Sequence, residues 1–260
     1  MTWQSLLGWK DNNMDAHTQN CVVVTGAASG IGYAIAKQVL QKGDYVAAVD
    51  LDRDRLLERF ANNPNVECIA CDLTTEDGFK VLTSAIKERF VVVKGFVHAA
   101  GFDVTAPLGM IKRDTISKLV AIHADFPVQF LGWLAKKGNH AENAACVLIS
   151  SLSTHEGAKG HVAYAAAKGA VEGALRPAAA ELIAKGIRLN AVVLGIVETE
   201  MSKGWLQKLS SEQIESLKKE YPLGLGQPDE VSAIVAFLLS NDSRWIAGQM
   251  IVCDGGHLLT

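Results

Sequence analysis

The stretch VVVTGAASGIGYAIAKQVL, residues 22–40, joins a run of valines, a turn with Gly26, Gly30 and Gly32, and a segment of helical period. Consecutive β-branched residues favour a buried strand. Glycines let the chain turn tightly and let a ligand come close to the backbone. A helix opening at the turn leaves its first N–H groups without intrahelical partners and presents the positive end of its dipole, so the turn offers a cradle for phosphate. Three glycines alone are a weak signal. Here they follow a strand and open a helix in the first such unit of the chain, which is the setting of a dinucleotide pyrophosphate site.

Working outward, short apolar runs alternate with helix-length segments. The runs are CVVVTG (21–26), YVAAVD (45–50), VECIACD (66–72), GFVHAAG (95–101), CVLISS (146–151), IRLNAVVLG (187–195) and QMIVCDGG (249–256), and segments 31–42, 75–90 and 231–240 are each long enough for a helix. This alternation predicts βαβ units in a three-layer α/β fold: a Rossmann-like, doubly wound sheet of seven mostly parallel strands with helices on both faces. No repeat, low-complexity tract or linker interrupts it, so residues 21–260 are expected to form a single domain. Residues 1–20 are a polar N-terminal extension carrying Trp3, Leu6, Leu7 and Trp9, expected to be partly ordered. Residues 196–224 follow the sixth strand with a helical pattern of their own and are expected to be a substrate lid.

A net charge of -3 supplies no basic field for nucleic acid or anionic membranes. No apolar run approaches the roughly 20 residues that cross a bilayer. The opening MTWQSLLGWKDNN lacks the basic start and apolar core of a secretory signal, so a cytoplasmic location is expected. Cys21, Cys68, Cys71, Cys146 and Cys253 are odd in number and sit mostly in apolar runs, as reduced buried thiols do. Cys68 and Cys71 form a lone CxxC with no second pair or histidine cluster, so no metal site is expected.

Asp50 ends the second apolar run, 18 residues after Gly32. At about 20 residues' separation a carboxylate reaches the adenosine ribose hydroxyls and repels a 2′-phosphate. Neither Ser29 nor Leu51 brings a cation. NAD(H) is therefore favoured over NADP(H). Arg53 and Arg55 pull the other way, but each has an aspartate beside it and reads as part of a solvated helix start.

These residues and others resemble the short-chain dehydrogenase/reductase family from about Asn20 to the C-terminus, with a pattern nearest its 3-oxoacyl carrier-protein reductase branch. Residues 25–32 match the family's TGxxxGxG loop, HAAG at 98–101 is similar to its NNAG segment, and Tyr164 with Lys168 match its YxxxK pair. Ser151 lies 13 residues before Tyr164, where the family has its catalytic serine. Thr199 and Met201 in IVETEM resemble its nicotinamide-contacting stretch, Asp72 in CDLT its adenine-contacting aspartate, and DGG at 254–256 its last strand end. The resemblance implies cofactor contacts at Gly26, Ser29, Gly30, Ile31, Gly32, Asp50, Leu51, Asp72, Leu73, Ala99, Ala100, Gly101, Tyr164, Lys168, Gly195, Val197 and Thr199. It also implies a homo-oligomer, a tetramer or dimer, joined through the fourth and fifth helices and the final strand.

Reduction of a ketone needs an acid for the developing alkoxide, and oxidation of an alcohol needs a base for the same proton. Tyr164 and Lys168 are four apart and share a helix face. A free tyrosine has a pKa of about 10, and cationic Lys168 together with oxidised nicotinamide is expected to favour its phenolate. Ser151 can donate to the substrate oxygen where charge forms. Ser150 is its rival, and strand alternation turns only one of them toward the cofactor. By the resemblance, Lys168 also holds the nicotinamide ribose.

Several residues depart from the family pattern. His123, in LVAIHADFPVQF, stands where relatives have an asparagine of the catalytic set. It is expected to hold a backbone carbonyl in an irregular helical turn; a direct part in the proton relay would add a pH dependence near neutrality. Pro127 suggests a kink nearby and Pro177 a bend in the helix that carries Tyr164. His98 replaces the first asparagine of NNAG, and Leu194 the proline before Gly195. His155 and His161 lie in the loop between Ser151 and Tyr164 and read as solvent-facing. Ser153, His155, Val197, Met201, Trp205 and Leu206 are expected to form a partly apolar substrate pocket. The function implied is hydride exchange between NAD(H) and a secondary alcohol or ketone. A 3-oxoacyl thioester reductase using NADPH and a non-catalytic nucleotide-binding regulator stay open as alternatives.

Overall fold

The computed structural model describes residues 19–60, 63–207 and 209–260; the apolar group Trp3, Leu6, Leu7 and Trp9 lies outside them. Seven strands, β1 (Cys21–Thr25), β2 (Tyr45–Asp50), β3 (Val66–Ala70), β4 (Val93–His98), β5 (His140–Ser151), β6 (Arg188–Leu194) and β7 (Met250–Cys253), form one sheet in the order β3-β2-β1-β4-β5-β6-β7. Every pairing is parallel. The strands are apolar throughout because both faces are covered. Their alternation sends Cys21, Val23, Ala47 and Val49 into one core and Val22, Val24, Val46 and Ala48 into the other.

Helices α1 (Gly30–Gln41), α2 (Arg53–Phe60) and α9 (Pro228–Leu239) cover one face through Ile35, Leu56 and Val235. Helices α3 (Glu76–Arg89), α5 (Phe126–Leu134) and α6 (Val162–Ile183) cover the other through Leu82, Phe130 and Leu175. Helix α4 (Arg113–Val120) packs on α6 through Leu119 and Ala163. Helix α6 continues unbroken through exposed Pro177. β5 begins six residues before the apolar run CVLISS, because HAENA joins the sheet through an irregular register opposite Val93 and Gly95, with Asn143 at φ 62°.

The strand order reverses between β1 and β4, and in such sheets ligands bind outside the carboxyl ends at that switch point. Segment 196–224, which follows β6, carries α7 (Glu200–Leu206) and α8 (Ser211–Lys219). Helix α8 opens with reciprocal capping between Ser210 and Gln213.

Candidate active site

The glycine turn joins β1 to α1 at this switch point. Gly26 (φ 69°) and Gly30 (φ 51°) hold left-handed backbone that side chains disfavour. Gly32 is required by space: a Cβ there would sit 2.1 Å from the Gly26 carbonyl oxygen. Ser29 caps α1 without a side-chain hydrogen bond, so the first N–H groups of the helix remain to face an anion. Asp50 Oδ2 accepts a hydrogen bond from Ala28 N at 3.0 Å and Oδ1 accepts from Asp52 N at 3.1 Å. This fixes the carboxylate at the end of β2 against the turn. Thr199 lies over Gly30, its Cγ2 3.3 Å from where a Cβ would stand. Ala100 lies against Gly26, and the N–H groups of Ala99 and Ala100 donate to Thr25 Oγ1. Open N–H groups, a Cβ-free turn and a strand-end carboxylate fit the pyrophosphate and adenosine ribose of a nicotinamide dinucleotide.

The other expected contacts fall around the same end of the sheet. Ile31 is half-buried at the start of α1, Leu51 is exposed after β2, and Leu73 is buried beside Asp72, whose Oδ1 accepts from Thr74 N at 2.9 Å. Gly195 and Val197 follow β6, with Gly195 held close to Tyr221 and Asp254. Arg55 Nη2 meets Glu200 Oε2 at 2.6 Å, so its charge is matched within the protein and α2 is tied to α7.

Ser151, Tyr164 and Lys168 come together where β5 meets α6. Ser151 is half-buried, accepts a hydrogen bond from Ser153 N at 3.2 Å and faces the Tyr164 phenol. Ser150 is buried and turned away, donating to Glu172 Oε1 at 2.5 Å, which resolves the rivalry of the two serines. Lys168 Nζ is buried, donates to the Ile149 carbonyl at 2.8 Å and lies 5.7 Å from the Tyr164 ring centre. Burial lowers the Lys168 ammonium to about 8, and the carboxylates of Glu172 and Asp103 resist that shift. The Tyr164 phenol is held above its ordinary value by burial and by Asp103, with the Ser151 hydrogen bond opposing. Lys168 points to a carbonyl rather than to the phenol oxygen, so the chain's own residues keep the tyrosine protonated.

The two unusual histidines shape the floor of this site. Residues Ala121–Asp125 form a π-helical turn between α4 and α5, in which Phe126 N donates to the Ala121 carbonyl. Pro127 has no N–H to donate next in that register. The freed Ile122 carbonyl accepts from His98 Nε2 at 2.9 Å. Since a carbonyl only accepts, His98 carries its proton on Nε2, and Nδ1 accepts from the Thr25 hydroxyl at 2.9 Å. His98 thus ties the π turn to β1 in a histidine version of the expected asparagine link. His123 Nε2 likewise donates to the Phe102 carbonyl at 2.9 Å, while its ring meets Tyr164 edge-on at 5.3 Å between centres. A Cβ on Gly101 would lie 2.0 Å from His123 Cε1. Burial and the Lys168 charge hold His98 down at about 3 and His123 at about 2, so both are neutral near pH 7.

Of the expected substrate residues, Ser153 borders Ser151, and Met201 lies exposed on α7. Trp205 belongs to α7, and its side chain is outside the described residues. His155 is exposed, as expected of a loop histidine, with Nε2 3.2 Å from Glu172 Oε2. His161 pairs with Asp103 at 3.2 Å. Sequence reasoning missed Asp103, Glu172 and Tyr221. The spacing of Tyr164, Lys168 and Glu172 at four-residue steps on one helix was the available signal for Glu172. Tyr221, in segment 196–224, is buried, accepts through its hydroxyl oxygen from Ile196 N at 3.2 Å and stacks on His257.

A family model described as Enoyl-(Acyl carrier protein) reductase matches residues 26–257. The chain is 30% identical over 242 residues to a 3-oxoacyl-(acyl-carrier-protein) reductase of Thermotoga maritima, covering 91% of this chain and 97% of that protein. It is 30% identical over 243 residues to a D-threitol dehydrogenase of Mycolicibacterium smegmatis, covering 91% and 92%. The structure resembles that of a short chain dehydrogenase family protein from Francisella tularensis with a TM-score of 0.84, 27% identity and coverage of 93% and 100%. Similar structures have been solved with NADH and with NADPH.

Proposed function

The chain belongs to the short-chain dehydrogenase/reductase family of NAD(P)-dependent oxidoreductases, and from that premise we propose that it interconverts a secondary alcohol and a ketone with NAD(H). The observation that carries this reading is the convergence of Ser151, Tyr164 and Lys168 at the switch point beside the open glycine turn. A bound nicotinamide dinucleotide supplies the two-electron chemistry. Gly26, Ser29, Gly30 and Gly32 hold its pyrophosphate, Asp50 its adenosine ribose, Asp72 its adenine side, and Thr199 its nicotinamide end.

Tyr164 gives a proton to the substrate oxygen in reduction and takes one in oxidation. Ser151 donates a hydrogen bond to that oxygen, steadying the charge that forms there. A phenol kept protonated suits reduction directly. In oxidation the positive charge of the oxidised ring, added to that of Lys168, must offset the burial that raises Tyr164. Lys168 holds the ribose and, through the Ile149 carbonyl, fixes α6 to β5. His123 acts by position, holding the Phe102 carbonyl and the face of the Tyr164 ring.

Asp50 supports NAD(H), and so does the Arg55–Glu200 pair, which leaves that guanidinium matched before any 2′-phosphate arrives. Segment 196–224 acts as the lid. We read the enzyme as a cytoplasmic homo-oligomer, in keeping with its free thiols and with exposed Val128 on α5 and Val252 on β7. Fluorescence titration with NADH and NADPH, followed by absorbance at the reduced-nicotinamide band over a panel of alcohols and ketones, tests the reading. Preferred NADH binding with turnover of a secondary alcohol supports it, and turnover of none overturns it. The similarity to a 3-oxoacyl reductase favours one second reading: NADPH-dependent reduction of an acetoacetyl thioester faster than of any free ketone would establish that one instead.

A further inference from the structure

Four buried side-chain polar atoms lack a hydrogen-bond partner among the described residues: Asp103 Oδ1, His123 Nδ1, Ser153 Oγ and His161 Nδ1. All four belong to residues gathered round Tyr164. The rings of His123 and His161 lie 5.3 and 6.5 Å from that of Tyr164. Ser153 N donates to Ser151 Oγ, and the Asp103 charge acts on both Tyr164 and Lys168. Unpartnered buried polar groups are costly, and a cluster of them around one tyrosine is explained by a ligand that supplies the missing partners.

The chemistry of these atoms states what the ligand must bring. His161 Nε2 lies 3.2 Å from Asp103 Oδ2 and 3.4 Å from the Thr105 hydroxyl, which can donate or accept, so Nδ1 offers either a lone pair or an N–H according to the tautomer. His123 Nε2 donates to the Phe102 carbonyl, so its Nδ1 is an acceptor. Asp103 Oδ1 accepts only. The Ser153 hydroxyl can do either. Two acceptors, one hydroxyl and a ring nitrogen that follows its tautomer call for groups that both donate and accept, and the Asp103 carboxylate repels an anion.

We propose that Asp103, His161 and Ser153 form a specificity site for hydroxyl groups near the reacting carbon, so that the substrate is a diol or polyol, or the matching hydroxyketone. It adds a polar side to the partly apolar pocket expected from Ser153, His155, Val197, Met201, Trp205 and Leu206. It rests on Tyr164 as the proton-handling group and goes beyond it by naming the substrate class. A 3-oxoacyl thioester, which offers only acceptors beside its carbonyl, leaves the Asp103 and His123 acceptors unmatched.

The test compares initial rates of NAD+ reduction with 2,3-butanediol and 2-butanol, and with 1-amino-2-propanol and 3-hydroxybutyrate as ammonium and carboxylate arms. For the wild-type protein kcat/KM for the diol is expected to exceed that for 2-butanol by about tenfold or more, with the amine and the acid both poorer than the diol. Asp103→Asn and Ser153→Ala should each lose most of that preference. Equal use of the two alcohols, a preference unchanged in both variants, or the best rate with the amine overturns the proposal while leaving the redox reading intact. If no alcohol turns over, the redox reading fails, and thermal denaturation of the NADH-loaded protein decides the polyol site on its own. Stabilisation by xylitol beyond that by 2-butanol, lost in Asp103→Asn, supports it, and no difference overturns it.

Discussion

Replacing Glu172 by glutamine removes one charge from the wall behind the site and leaves its shape. The glutamine oxygen can still accept from the hydroxyls of Ser150 and Thr154, now at 2.5 and 2.9 Å. What disappears is the carboxylate that faces His155 and holds up the Lys168 ammonium. Hydrogen bonds to charged groups contribute about 1.5–3 kcal/mol and neutral ones about 0.5–1.5, so a loss of about 1–3 kcal/mol at neutral pH is expected, or a fall in Tm of roughly 2–10 °C at this chain length. Its pH dependence identifies the part due to Lys168. That lysine titrates at about 8 in the folded protein, below its ordinary 10.5, and lower still without Glu172. Below both folded values the lysine is charged in the folded and unfolded states alike, and the variant bears the full extra cost of a less favoured buried cation. As the pH rises through 8 the folded lysine becomes neutral in both proteins, and that cost fades at about 1.36 kcal/mol per pKa unit of difference. Urea unfolding of wild type and Glu172→Gln at pH 6.5 and pH 9, each with its pH-jump control for reversibility, reads the gap directly. A gap that narrows toward pH 9 is expected; one that stays constant or widens refutes Glu172 as the support of the Lys168 charge.

Gly32→Ala places a Cβ into the Gly26 carbonyl, with 2.1 Å between them; NADH affinity measured by fluorescence should fall more than about tenfold with a stability loss of about 1–3 kcal/mol. Asp50→Asn keeps an oxygen for Ala28 N and removes the charge opposed to a 2′-phosphate, so the ratio of NADPH to NADH affinity should rise by about tenfold. His257 offers Nδ1 to the Glu220 carbonyl and Nε2 to the Glu156 carboxylate, two acceptors that only an imidazolium satisfies together. Those acceptors raise its pKa above 6.5, so the link it makes between segment 196–224 and the 152–161 loop is complete below that value and is lost as pH rises through the raised one. Hydrogen exchange of α8 should therefore accelerate with pH beyond the intrinsic rate in the wild type and lose that step in His257→Gln.

The fold was legible because its signals are local. Valine runs bounded by glycine mark strands buried on both faces, and Gly26, Gly30 and Gly32 mark backbone that must turn left-handed or lie against another chain segment. Boundaries failed where a tertiary contact recruits polar chain, as at His140–Asn143, which joins β5 only through its pairing with β4. Ser151, Tyr164 and Lys168 could be read from spacing, since strand and helix periods fix which side chains share a face. Pro127 foretold a kink and the family resemblance an irregular turn at His123, but the link from His98 to Ile122 spans 24 residues and is visible only in three dimensions. Helical spacing sets Lys168 beside the Tyr164 ring, while among the chain's own groups burial and Asp103, brought in by a distant loop, raise the phenol. The Asp103–His161 pair joins residues 58 apart, and no local pattern announces it.

The account depends most on Tyr164 as the group that exchanges a proton with substrate. Steady-state oxidation of the best alcohol by Tyr164→Phe, with NADH affinity measured on the same preparation, tests that claim most directly. A fall in kcat of about a thousandfold with NADH still bound is predicted; undiminished turnover in the phenylalanine variant would contradict it.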